Sequence, residues 1–394
     1  MTYYTTHRLW HVLTSASLLM FGATAIWSQS LTWLGTLGGD ESEAYSVSTN
    51  GIVVGRSRNA DGYWRAFRWT PSEGMQDLGT LGGNESGAYG ISGDGSVIVG
   101  EATLPDGHWR AFRWTQTSRG LINLGVLPGT FNSYAMGVSG DGSVIVGSSS
   151  RAFRWTSVGM QDLGTLGGDV SHAYSASGNG SVVVGGSWTA VNQYHAFRWD
   201  QASGMRDLGT LGGSGSGAYA VSADGSVIAG WAHSATDLAR AVRWTVAGGI
   251  QDLGTPHGTS SVAYGVSQDG SVIVGYFGTP QENHAFRWTS NGIEDLNVVY
   301  ADLLPNGSFL ELARAISPDG RYIVGIGYNA AAGRTEGFLL DTVPEPMSSL
   351  VLLTGLTYLI RFRRGKGIRF GTACAVANRC ERHHGRSQIH IIGG

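Results

Sequence analysis

Between residues 31 and 341 the apolar positions come in short runs bounded by Gly, Asp or Asn, and the same order of runs returns about every 44 residues. One copy reads Leu78-Gly79-Thr80-Leu81-Gly82-Gly83, Ala88-Tyr89-Gly90-Ile91-Ser92, Ser96-Val97-Ile98-Val99-Gly100 and Ala111-Phe112-Arg113-Trp114. The Phe-x-Trp element recurs at Phe67, Phe112, Phe153, Phe197 and Phe286, with Val242 and Phe338 in weaker copies. Each unit predicts four strands: Ala-Tyr-x-x-Ser, Ser-Val-Ile-Val-Gly, Ala-Phe-Arg-Trp-Thr and Met-Gln-Asp-Leu-Gly. The first two are joined by turns such as Gly93-Asp94-Gly95 and Gln268-Asp269-Gly270, where Asp-Gly favours a tight hairpin. A four-stranded antiparallel meander of this length has the dimensions of a propeller blade.

The ends of the array predict how it closes. The first strand starts near Ala44, Ala88, Ala135, Ala173, Ala218, Ala263 and Ala313, which makes seven units. The last third strand, Gly337-Phe338-Leu339-Leu340-Asp341, has no fourth strand after it. A surplus fourth strand, Leu31-Thr32-Trp33-Leu34-Gly35, precedes the first unit. Joining the two leaves no open edge, so the expected fold is an all-β, seven-bladed propeller closed by its N-terminal strand. The competing arrangement treats the end units as degenerate caps of an open array. Arg68 is expected to face Asp77 across the outer hairpin, with Phe67 and Trp69 on the opposite face. In the closing blade the corresponding pair is Leu339 and Trp33, both apolar, and these two are expected to face each other.

Gly supplies 62 of 394 residues, but at set positions of the repeat, which argues for turns and against disorder. Residues 361–386 hold eight of the 26 cations and one anion, Glu381, leaving 18 cations against 28 anions elsewhere. That balance argues against nucleic acid as a partner. Cys374 and Cys380 both lie beyond the repeats, which therefore carry no disulfide. His7, Arg8 and His11 precede an apolar run from Val12 to Trp27 containing Ala23-Thr24-Ala25. This predicts a secretory signal peptide over residues 1–25, cleaved after Ala25 at the Ala23/Ala25 site, and a propeller over 26–341.

Candidate chemistry is sparse. The Gly35-Thr36-Leu37-Gly38-Gly39 loop lacks the Lys and helix of a phosphate cradle and recurs in most units, so it reads as architecture. The turn aspartates offer one carboxylate each, too few for calcium, and are replaced by Asn50 and Asn179 in two units. His108, His195, His233, His257 and His284 lack metal spacing; His195 and His284 read as strand-entry residues. Cys374, Cys380, His383 and His384 match no common zinc spacing. No metal, cofactor or catalytic residue is assigned. The connection between second and third strands varies most and carries aromatics: Tyr63, Trp64, Trp109, Trp188, Tyr194, Trp231, Tyr276, Phe277 and Tyr328. Tyr63, Trp64, Trp109, Trp188, Trp231 and Tyr276 are the candidate ligand-binding residues, since exposed rings stack on sugars or anchor partners. The plainer reading has them cap the core edge.

After Asp341 come Val343-Pro344-Glu345-Pro346, an apolar run from Leu350 to Ile360, and Arg361-Phe362-Arg363-Arg364. The run is shorter than the roughly 20 residues that span a bilayer comfortably. Residues 342–364 resemble the PEP-CTERM sorting signal of Gram-negative bacteria, with Pro344, Glu345 and Pro346 as the motif and Arg361, Arg363 and Arg364 as the basic cluster. The resemblance implies an exosortase-type sorting enzyme as partner, transient membrane association through the C-terminal helix, and delivery to the cell surface or extracellular matrix. Residues 365–394 continue past the usual end of that signal and are expected to be an atypical, disordered tail. The repeats, through His195-Ala196-Phe197 and His284-Ala285-Phe286, resemble the HAF-type extracellular repeat family, which implies an extracellular β-rich array without known catalytic residues. The expected function is a secreted or surface-anchored, non-catalytic binding or scaffold protein with exopolysaccharide or a surface protein as partner. The alternative is a propeller lyase or glycosidase acting on extracellular polysaccharide, which needs unrepeated acid and base residues at the axis or loop face.

Overall fold

The computed structural model describes residues 29–118, 120–256 and 260–343. The leader with Ala23 and Ala25, the sorting residues Pro344, Glu345, Pro346, Arg361, Arg363 and Arg364, the tail 365–394 with its cysteines, and His257 lie outside the described residues.

Each repeat folds from its turns outward. In Ser92-Gly93-Asp94-Gly95-Ser96, the Ser92 hydroxyl donates to Asp94 Oδ1 at 2.6 Å and accepts the Val97 N–H at 3.0 Å. The same carboxylate oxygen accepts the Ser96 N–H at 2.9 Å, and Gly95 takes φ +78° to let the chain reverse. Asn50 and Asn179 occupy the carboxylate's place in blades 1 and 4, with Ser181 N–H on Asn179 Oδ1 at 3.0 Å. Hydrogen bonds from Ser92 and from Ser267, followed by those from Ser96 and Ser271, hold Asp94 and Asp269 below the usual carboxylate range. Ser222, then Ser226, lower Asp224 to about 2. Such groups contribute stability above the ordinary carboxylate pKa of about 3.9, and that stability is lost as pH falls through their folded values. We therefore expect Asp94→Asn/Asp224→Asn/Asp269→Asn to fold at pH 7, as blades 1 and 4 do with Asn. In thermal melts it loses less Tm than the parent between pH 4 and pH 2; parallel slopes would refute this.

The strands assemble into seven four-stranded antiparallel sheets. Blade 1 comprises Gly38–Val47, Val53–Asn59, Trp64–Thr70 and Gly74–Asp77. Blades 2 to 6 occupy residues 86–123, 134–162, 167–207, 212–252 and 261–295, each in sequential strand order. Blade 7 comprises Phe309–Ile316, Tyr322–Asn329, Arg334–Asp341 and, as its outer strand, Ser30–Trp33 from the other end of the chain. A short helix, Leu296–Val299, capped by the Asp295 side chain, intervenes before blade 7. The ring is thus closed by its N-terminal strand. Leu34 N–H donates to Gly337 O at 2.9 Å, and Gly337 N–H to Ser42 Oγ at 3.0 Å.

The closing register differs by one residue from the sequence expectation: Trp33 lies opposite Phe338, and Leu339 opposite Thr32. The Trp33 and Phe338 rings meet edge to face at 6.4 Å. Every outer hairpin shows the same offset, with Phe67 opposite Asp77 and Arg68 opposite Gln76. The cause is Gly74, which takes φ +68° and pairs with Thr70, so the loop has one residue fewer than expected. Asp77 consequently binds Arg65 at 3.1 Å, and Arg68 turns to Glu73 at 2.8 Å. His195 and His284 stand at the position of Arg65 and bond Asp207 and Asp295 at 2.7 Å each, a pairing beyond simple strand entry.

The core lies between blades. Phe67, Phe112, Phe153, Phe197, Phe286 and Phe338 are fully buried, and Val54 and Ala66 of blade 1 pack with Ala88, Ile91, Ile98 and Phe112 of blade 2. Each such Phe stabilises by very roughly 1.5–3 kcal/mol. A buried serine pins neighbouring blades together: Ser86 Oγ donates to Gly79 O at 2.6 Å and accepts the Ala66 N–H of the preceding blade at 2.9 Å. Ser133, Ser171, Ser216 and Ser261 repeat the contact. Blade 7 carries Glu311 there, and the link from blade 6 passes instead through Asn297, bonded to Leu310 O at 2.9 Å and Leu310 N–H at 2.7 Å.

Candidate functional site

The innermost strand of every blade carries a β-bulge at one position. In blade 1 the register passes from Ala44↔Gly55 to Ser46↔Val54, leaving Tyr45 as the extra residue. The same slip leaves out Tyr89, Met136, Tyr174, Tyr219, Tyr264 and Arg314 in blades 2 to 7. A bulge re-aims the side chain at its extra residue. Here all seven point to the axis and line a common cavity of about 420 Å³. The next residue is small throughout: Ser46, Gly90, Gly137, Ser175, Ala220, Gly265 and Ala315. Inner strands of adjacent blades crowd there, and a Cβ on Gly137 would sit 2.5 Å from Tyr174 O.

The aimed side chains form an aromatic belt. Ring centroids are 5.0 Å apart for Tyr45–Tyr89, 5.1 Å for Tyr174–Tyr219 and 5.0 Å for Tyr219–Tyr264. Arg314 bridges the belt, its guanidinium carbon 4.8 Å from the Tyr264 centroid and 5.3 Å from that of Tyr45. Around this belt lies a layer that does not repeat. Glu43 accepts from Arg56 at 2.8 Å and from the Tyr45 hydroxyl. Glu101 accepts from the Tyr89 hydroxyl at 2.8 Å, and the Tyr174 and Tyr194 hydroxyls are 3.1 Å apart. Burial pushes the Tyr45, Tyr89, Tyr194 and Tyr219 phenols well above the ordinary range, so they remain neutral donors and acceptors. Burial also raises Glu101, against the opposing Tyr89 hydrogen bond, and lowers His172.

The six candidate aromatics do not converge on one site. Tyr63 and Trp109 line a shallow groove between blades 1 and 2 with Pro105 and Gly83. Trp188 lies in a separate groove with Gly168 and Asp169. Trp64 is covered by the guanidinium groups of Arg56 and Arg58, at 4.3 and 4.5 Å. Trp231 packs on His233 at 4.9 Å, and Tyr276 stacks on belt residue Tyr264 at 6.1 Å. Of the other loop aromatics, Phe277 is a fully buried core residue and Tyr328 packs against Phe309 at 5.9 Å. Sequence reasoning missed the belt because Ala-Tyr-x-x-Ser looks like an unbroken strand. The available signal was the residue after each Ala, which is Tyr in five units, Met136 in one and Arg314 in one. Among the described residues no three His, Cys, Asp or Glu side chains gather as a metal site, and no helix is long and apolar enough to cross a membrane.

No protein-family model matches the chain, and no curated protein matches it. Solved structures do resemble it. The β-propeller domain of the Trilobed protease from Pyrococcus furiosus, described as having an open velcro topology, is 12% identical, with TM-score 0.51 over 77% of this chain and 98% of that one. An oligogalacturonate lyase from Vibrio parahaemolyticus is 10% identical, with TM-score 0.49 over 79% of this chain and 93% of that one. TolB from Acinetobacter baumannii is 14% identical, with TM-score 0.44 over 79% of this chain and only 66% of its own length. At 12% identity the likeness to the Trilobed protease domain is one of propeller fold alone.

Proposed function

We propose that this chain is a non-catalytic binding propeller of the bacterial cell surface or extracellular matrix, with exopolysaccharide as its ligand and the axial belt as its seat. The expected leader and the PEP-CTERM-like segment supply export and sorting by an exosortase-type enzyme. The observation that carries the reading is the set of seven bulges, five of which aim a tyrosine ring at one axis. Phenol rings offer faces to the C–H side of a sugar and hydroxyls to its oxygens. The cavity of about 420 Å³ falls within the range of small-ligand clefts, roughly 300–1,000 Å³.

The enzyme alternative draws on one specific observation, Glu43 and Glu101 beside the axis on neighbouring blades. Hydrolysis uses one carboxyl group as acid and another as base or nucleophile. Here Arg56 and Tyr45 engage Glu43, and Tyr89 engages Glu101, which favours a structural role for both. The purified protein titrated calorimetrically with bacterial exopolysaccharide oligosaccharides is expected to bind them. Assays of the same mixtures are expected to show no new reducing or unsaturated ends. Product formation abolished by Glu43→Gln or Glu101→Gln would overturn the non-catalytic reading, and absence of binding across the panel would overturn the ligand class.

A further inference from the structure

Six of the seven axial positions hold residues without charge, and the seventh holds Arg314. Its Nε is buried and has no hydrogen-bond partner. Among the described residues no carboxylate lies within ion-pair distance of its guanidinium group, whereas the nearby Arg56 is neutralised by Glu43 at 2.8 Å. Two tyrosine rings flank the cation, Tyr264 at 4.8 Å and Tyr45 at 5.3 Å. Ring faces attract a cation but leave the donors of the planar guanidinium unfilled, and those donors match a carboxylate in a two-pronged fit. A half-desolvated arginine without an anion is costly to keep, and an anionic ligand entering the cavity offsets that cost.

We infer that the axial cavity recognises an acidic saccharide, with Arg314 binding the carboxylate of a hexuronate residue while the tyrosine belt stacks on its ring. This rests on the proposed polysaccharide-binding role and names the class of sugar within it. Sugar is favoured over a peptide carboxylate because the belt presents aromatic rings on both sides of the cation, which suits the C–H face of a hydroxylated sugar ring.

The test uses the full chain with two probes: a glucuronate-bearing tetrasaccharide, and the same tetrasaccharide with its carboxyl groups reduced to give glucose. Calorimetry is expected to show the acidic probe binding about tenfold or more tightly, with the difference shrinking at high salt. The decisive variant is Arg314→Tyr, which installs the residue that five other blades carry at this position and is therefore expected to fold with an unchanged melting temperature. It should lose the preference for the acidic probe, so that the two probes bind it within about twofold of each other. Arg314→Met, which follows the precedent of Met136 in blade 3, provides a second folded variant with the same expected outcome. Equal affinity for both probes, or an acidic preference that survives in both variants, overturns this inference while leaving the polysaccharide reading intact. If neither probe nor any other saccharide binds the parent, the underlying reading falls as well. Tighter binding of a short peptide with a free C-terminal carboxylate overturns the sugar assignment.

Discussion

Gly100→Ala is expected to lower the stability of the propeller by about 3 kcal/mol and, for a ring of this size, its melting temperature by roughly 4–5 °C. The residue closes the Ser-Val-Ile-Val-Gly motif in the middle of the strand Val97–Thr103, and a Cβ built there would lie 1.9 Å from Gly87 O and 2.9 Å from Ala88 Cα. Both are backbone atoms of the paired inner strand, so relief requires the Ala88↔Gly100 pairing itself to open. The clash recurs at Gly55 against Glu43 O, at Gly147 against Tyr134 O and at Gly185 against His172 O, each at 1.9 Å. In every case the carbonyl belongs to the residue two before the bulge, so the distortion that aims an axial side chain also brings the two backbones together. Glycine at this position is therefore a requirement of the bulge. Gly107, at φ +84° with nothing within 4 Å of a Cβ, provides the contrast. Alanine there is expected to cost only about 1 kcal/mol, through backbone strain alone. Circular-dichroism melts of the two variants check the ranking, and equal losses would refute the packing argument.

Much of the architecture was legible because it rests on local patterns repeated seven times. Asp94-Gly95 specifies a hairpin, Phe112-x-Trp114 places two rings on one side of a strand, and the spare Leu31-Thr32-Trp33 strand matches the one missing after Asp341. Register was less legible. Opposing Arg68 to Asp77 or to Gln76 differs by a single loop residue, and the positive φ of Gly74 decides which pairing forms. Charge complementarity pointed to the wrong arginine, because Arg65 and Arg68 both lie within reach of an acid.

The candidate site was harder to read for two physical reasons. A bulge leaves no mark in the apolar–polar alternation, so Tyr89 and Tyr219 looked like ordinary strand residues when the backbone in fact turns them to the axis. Glu43 and Glu101 come from non-equivalent strands, and only the pairings Glu43↔Arg56 and Gly87↔Glu101 put them at the same level. Loop aromatics were visible in sequence but their directions were not. Trp64 turns under two arginines, Trp188 occupies an outer groove, and Tyr276 alone of the six stacks directly on a belt ring.

The belt makes the second large prediction. Tyr219 and Tyr264 are the most nearly parallel pair in it, 5.0 Å apart at 25° between planes, and Tyr264 sits next to Arg314. Replacing both with methionine, the residue blade 3 already carries at Met136, removes two ring faces while keeping side chains the inner strand accommodates. Each lost ring is expected to weaken saccharide binding by about three- to tenfold, hence roughly 10- to 100-fold together. Tyr63 and Trp188 stand apart in two grooves away from the axis, so Tyr63→Ala/Trp188→Ala should leave affinity within about twofold. Calorimetric titration of one exopolysaccharide oligosaccharide into the parent, Tyr219→Met/Tyr264→Met and Tyr63→Ala/Trp188→Ala proteins, each with its melting temperature recorded, decides the location of the site. Loss of binding in the axial variant alone is the predicted result. Full affinity in the axial variant, with loss in the groove variant, would contradict the account.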